Sequence, residues 1–146
     1  MSAITTDIII AAARGWIGTP YLHQASLRGA GCDCLGLVRG VWREIVGPEP
    51  ETPGPYTPDW AEACLEERLA DAGDRHFTRV ALAEIAPGDM LMFRWRAHAP
   101  AKHLAILATH ATMIHAHDGA SVCEVALSQW WRRRLAFAFR FPNVAG

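Results

Sequence analysis

The sequence predicts an α+β fold, with helices packed on a five-stranded, mostly antiparallel sheet. Three observations carry this. The first half holds apolar stripes at helical spacing, namely Ile8, Ala12 and Trp16, then Leu37, Val38, Val41, Trp42 and Ile45. After Pro87-Gly88-Asp89 the apolar runs shorten to strand length and are separated by turn residues. Helices followed by strands is the α+β order, and 146 residues, 51% of them hydrophobic, suffice for one core.

Thr5-Thr6-Asp7 opens the first helix, because short polar side chains cap the first free amides, and Gly18-Thr19-Pro20 ends it. Residues 21–31 are polar, glycine-rich and aperiodic, hence a loop. The second helix begins at Cys34 and stops at Gly47-Pro48. Pro48, Pro50, Pro53, Pro55 and Pro58 make residues 48–58 an extended excursion. Thr57-Pro58-Asp59 starts a third helix with the stripe Ala61, Leu65, Leu69 and Ala72, ended by Gly73. Strands follow at 90–93, 103–108, 112–117, 121–125 and 135–141. With no repeat or low-complexity segment, residues 1–146 read as one domain.

Composition excludes several function classes. Fourteen basic against fifteen acidic residues give a net charge of −1, so no nucleic acid is held by bulk electrostatics. No apolar run is long enough to insert in a membrane. Asp7 stands where a signal peptide would carry basic residues, so synthesis in the cytoplasm without such a peptide is expected. The four cysteines are expected to be thiols. Cys32 and Cys34, one residue apart, with His115 and His117, depart from zinc-motif spacing, so neither metal nor other cofactor is expected.

Cys34 follows Asp33 at a helix start. There a sulfur meets unpaired amides and the positive end of the helix dipole, both of which favour the nucleophilic thiolate. Gly36, inside the first turn, marks close approach of another group. A cysteine nucleophile needs a base and a group to orient that base. His103 and His115 are polar residues out of pattern in two successive apolar strands. Alternation places Met113, His115 and His117 on one face, so periodicity leaves either His115 or His117 as the orienting residue.

Gly18-Thr19-Pro20-Tyr21, the run Asp33-Cys34-Leu35-Gly36-Leu37-Val38, His103 opening a Leu-Ala-Ile strand, and Ile114-His115-Ala116 together resemble the NlpC/P60 peptidases over nearly the whole chain. The resemblance implies a papain-like α+β fold with Cys34 as nucleophile, His103 as base and His115 as the polar third member. It also implies Tyr21 lining the site and Asp33 receiving the free amine of a peptide substrate. Leu35 replaces the usual serine, and His23-Gln24-Ala25-Ser26 replaces a glycine pair, both of which bear on substrate.

His23-Gln24-Ala25-Ser26, the run from Cys32 to Arg43, Gly47-Pro48-Glu49-Pro50 and the Pro-rich excursion further resemble the NlpC/P60 proteins of phage tails and gene transfer agents. That implies a wall peptidase cutting a peptidoglycan stem peptide at the D-glutamyl–diamino acid bond. It would be held by tail hub or baseplate proteins and act on the target cell wall. The alternatives are a non-catalytic tail component that binds wall peptide, and a thiol amidase or acyltransferase on the same scaffold.

Overall fold

A computed structural model describes residues 3–54 and 67–145. Helix α1 spans Thr6–Arg14, its first turn capped by the Thr5 hydroxyl, which accepts from the Ile8 amide at 3.2 Å. It ends earlier than the stripe suggested. Trp16 lies beyond it in a turn, yet stays buried. Two short strands, β1 (Ser26–Leu27) and β2 (Gly31–Cys32), pair antiparallel and lead into α2, Cys34–Ile45. Leu37, Val38, Val41 and Trp42 form the buried face of α2, as the stripe required.

The described part of the proline-rich excursion, residues 48–54, forms no regular element and is pinned to the helices beside it. The Trp42 indole donates to the Pro48 carbonyl at 3.1 Å, and Arg39 and Arg43 both reach Glu49. The expected start of the third helix at Thr57-Pro58-Asp59 lies outside the described residues. Leu69 and Ala72 of its stripe lie on α3, Arg68–His76, which starts after Glu67. Gly73 does not end this helix but sits within it, because a Cβ there would stand 2.6 Å from the Phe139 ring. The signal read as a terminator is a packing requirement.

The sheet has six strands, one more than expected: β3 (Thr78–Val80), β4 (Met90–Phe93), β5 (His103–Thr109), β6 (Thr112–His115), β7 (Cys123–Ala126) and β8 (Leu135–Arg140). The order is β3-β8-β4-β5-β6-β7, and every neighbouring pair is antiparallel. The unforeseen β3 is a short edge strand with no apolar alternation to announce it. A short helix α4, Gln129–Arg132, precedes β8.

Alternate residues of β4 and β5 feed two cores. Met90, Met92, Leu104 and Ile106 face α1, α2 and α3, while Leu91, Phe93, Ala105 and Leu107 face Met113, Leu127 and Trp131. With both faces covered, these strands read as unbroken apolar runs. Buried Asp89, just before β4, accepts two hydrogen bonds from the partly exposed Arg140 of β8, at 2.9 and 3.0 Å.

Candidate active site

The site forms where the start of α2 meets the start of β5. Asp33 is the N-cap of α2, its Oδ1 accepting from the Gly36 amide at 2.7 Å. Its Oδ2 accepts from the Gln24 amide at 2.8 Å, which ties the preceding loop to the helix. The Leu37 amide bonds the Asp33 carbonyl at 2.9 Å.

Gly36 explains how the loop reaches so close. A Cβ at this position would fall 1.9 Å from the Ala25 carbonyl oxygen, which is backbone and cannot swing away. The Ser26 hydroxyl donates to the Gly36 carbonyl at 2.6 Å on the same seam. Gly36→Ala is therefore expected to lower stability by on the order of 3 kcal/mol, measured by denaturant unfolding. An unchanged midpoint would show that the seam is not tightly packed.

Cys34 Sγ lies 3.6 Å from the Lys102 carbonyl, so it sits against the backbone at the start of β5, beside the residue that precedes His103. His103 and His115 are both buried. His103 Nε2 lies 2.9 Å from His115 Nδ1. His117 lies past the end of β6, is exposed, and stacks on His115 with ring centroids 5.8 Å apart.

Electrostatics keep these groups neutral at rest. Burial, then the Asp33 carboxylate, push the Cys34 thiol up to about 12, outweighing the three backbone amides that pull it down. The amides at the helix start favour the thiolate, as the sequence position suggested, but burial and Asp33 act against them. Burial, then His115 and His117, hold His103 well below 6.5, and burial with His117 brings His115 down to about 4. A lone charge is disfavoured at either position, whereas a proton passing from sulfur to imidazole creates both charges together.

Because His115 is neutral when folded and charges more easily when unfolded, stability is full above pH 6.5 and falls as pH drops towards 4. The shift corresponds to about 3 kcal/mol. Denaturant unfolding at pH 7.5 and 5 should show the loss, and His115→Leu should flatten it. Equal slopes in the two proteins would remove His115 from this account.

Tyr21 bridges Cys32 and packs with Cys34 on the core; burial, then the charges of Cys34 and Asp33, push its phenol up to about 12. It is a neutral hydroxyl beside the sulfur. Asp33 and Cys34 thus lie at the start of α2, His103 at the start of β5 and His115 at the end of β6, with Tyr21 bridged to Cys32 of β2. The sequence reading missed the aromatic surroundings of His103. Trp95 and Trp131 lie at 5.1 and 5.3 Å between ring centroids, and Phe93 at 6.0 Å. The Trp130-Trp131 pair was the one available signal. Among the described residues no group of histidine, cysteine or acidic side chains is arranged to hold a metal ion.

The structure is an α+β domain in which a cysteine at a helix start lies against the strand that opens with His103, itself paired with His115. The NlpC/P60 family model matches residues 18–140, and the chain belongs to that family. The chain is 29% identical over 142 residues to the gamma-DL-glutamyl hydrolase of Bacillus subtilis (strain 168), covering 96% of this chain and 30% of that protein. It thus spans about a third of the length of that curated relative. Among solved structures, an NlpC/P60 family protein from Bacillus cereus ATCC 10987 superposes with a TM-score of 0.71 at 19% identity, covering 96% of this chain and 41% of that one. The NlpC/p60 domain of the peptidoglycan hydrolase SagA gives a TM-score of 0.66 at 24% identity, covering 94% of this chain and all (100%) of that one. These likenesses establish the fold.

Proposed function

We propose that the chain is a cysteine peptidase that hydrolyses the stem peptide of peptidoglycan at the bond from D-glutamate to the diamino acid. The observation that carries the reading is the sulfur of Cys34 set 3.6 Å from the carbonyl of Lys102, the residue just before His103 in the chain, while His103 Nε2 is engaged by His115 at 2.9 Å. With Nε2 so engaged, Nδ1 is the nitrogen left to take the Cys34 proton. A neutral His115 accepts from Nε2–H and keeps the ring in that tautomer.

Cys34 then attacks the amide carbonyl, and the amides of Cys34 and Leu35 face the developing oxyanion. His103 returns its proton to the leaving amine, and water attacks the thioester with His103 as base. Tyr21 and Asp33 line the side on which the substrate's free amine would rest. The name of the Bacillus subtilis relative supports a γ-glutamyl bond as the target.

Purified chain incubated with a synthetic stem tetrapeptide should release two fragments whose masses locate the cut between D-glutamate and the diamino acid. An intact tetrapeptide, or a cut elsewhere, would refute the assignment. The reaction needs neutral His103, so kcat/KM should hold through neutrality and fall only well below pH 6.5. A profile that already loses half its value at pH 6.5 or above would contradict the neutral resting pair.

The same reading extends to a tail-borne role on the target cell wall. The runs 23–26, 32–43 and 47–50 and the proline excursion support it, as the segments that resemble tail-associated members. Mass spectrometry of purified phage-like particles should find the chain with hub or baseplate proteins. Particles lacking it would refute this role.

A further inference from the structure

Three elements bring aromatic rings against the two histidines. Trp131 of α4 lies nearly parallel to the His103 ring, at 24° and 5.3 Å between centroids. The same indole meets His115 edge-on, at 87° and 5.3 Å. One side chain therefore bears on both partners of the 2.9 Å imidazole bond. Trp131 is itself fixed by Phe93 of β4 at 5.1 Å, Trp95 at 5.7 Å and Trp130 at 4.8 Å.

The helix carrying it is anchored independently. Arg132 donates to the carbonyls of Leu127 and His110 at 3.1 and 3.0 Å. Arg134 lies over the Trp130 ring at 3.6 Å and donates to the Trp130 carbonyl, so Arg132 and Arg134 hold the Trp pair in place. Trp95 is held through its own loop, where Glu67 pairs with Arg94 and accepts from the Ala101 amide at 2.8 Å.

We propose that Trp131 is a positioning residue of the site: it sets the plane of His103 and keeps water from the His103–His115 bond. Two consequences follow, resting on the assignment of His103 as base. A ring free to tilt presents Nδ1 to the sulfur in fewer productive orientations, which lowers kcat, since small misplacements of catalytic groups are costly. A ring open to water takes a proton more readily, because burial is what disfavours its charge.

Among the described residues, the titratable groups against His103 are His115 and His117 from the β6 end, with the Cys34 thiol at the neighbouring Lys102 carbonyl; α4 presents Trp131, β4 presents Phe93 and the following loop Trp95. His115 and His117 repel a charge on His103 whether or not Trp131 is present, so the effect of removing the indole is read above their constant background.

The test is the series Trp131, Trp131→Phe and Trp131→Leu in the full chain. It is followed by hydrolysis of the stem tetrapeptide against pH and by NMR titration of the histidine rings. For Trp131→Leu, kcat should fall on the order of tenfold with KM changed less than about twofold. The acid limb, and the His103 titration itself, should move up in pH in the order Trp, Phe, Leu. A limb and a ring titration that stay put in folded Trp131→Phe and Trp131→Leu overturn the proposal. If Trp131→Leu does not fold, Trp131→Phe decides alone, because the smaller ring leaves part of His103 wet. If wild type cuts no stem peptide, the functional assignment fails, while the ring titrations still decide whether Trp131 governs His103.

Discussion

Cys34→Ala is expected to lower stem-peptide hydrolysis by at least about 10⁴-fold while leaving the fold in place. The loss should be this large because the sulfur is at once the attacking atom and the proton donor to His103. The amides of Cys34 and Leu35 stay available for the oxyanion, so a small residual rate over water would persist. The fold should survive because the cap on α2 is made by Asp33 and the loop seam by Gly36, neither of which needs the sulfur. Circular dichroism and chemical unfolding check the second half of the expectation. A variant that retains more than about a hundredth of wild-type rate would make Cys34 a structural thiol.

Replacement of His103 by Ala is expected to cost on the order of 10³-fold in kcat, with a smaller change in KM. The reason is electrostatic as much as geometric. A Cys34 thiol held up to about 12 gives almost no thiolate at neutral pH, so the base must take the proton as attack occurs. His115→Leu should cost less, on the order of 10²-fold, and His115→Asn less again, since an amide oxygen can accept from His103 Nε2–H. If His103→Ala and His115→Leu fall equally, with His115→Asn giving no recovery, the two rings act through packing alone. If His103→Ala keeps full rate, another group is the base.

The elements that position the site were legible because their sequence signals are local. Thr5 and Asp33 precede helices they cap, and the α2 stripe of Leu37, Val38, Val41 and Trp42 faces the sheet. His103 and His115 stood out because charges and imidazoles are rare in strands covered on both faces. Alternation could not separate His115 from His117, since both lie two residues apart on one face. The end of β6 at His115 separates them, and that depends on a register with β7 running Thr112↔Ala126 to His115↔Cys123.

Other features were illegible for identifiable reasons. Gly73 looks like a helix end because a missing Cβ has the same sequence appearance whether it permits a turn or admits the Phe139 ring. Strand β3 is an edge strand whose partner β8 supplies the apolar side chains, so its own residues need no pattern. The state of Cys34 depends on burial by residues far along the chain, which outweighs the helix-start effect that sequence position reveals. The housing of His103 by Trp95 and Trp131 brings the loop after β4 to α4 across the sheet, a contact no local pattern encodes.

Hydroxylamine partitioning addresses the central claim, acyl transfer through the Cys34 sulfur. During cleavage of a γ-D-glutamyl–diamino acid substrate, a thioester on Cys34 must be open to any small nucleophile that can enter in place of water. The expected result is a D-glutamyl γ-hydroxamate whose share of the product rises with hydroxylamine concentration, formed by wild type and not by Cys34→Ala. Release of the diamino acid with only free γ-carboxylate at every hydroxylamine concentration would contradict the account.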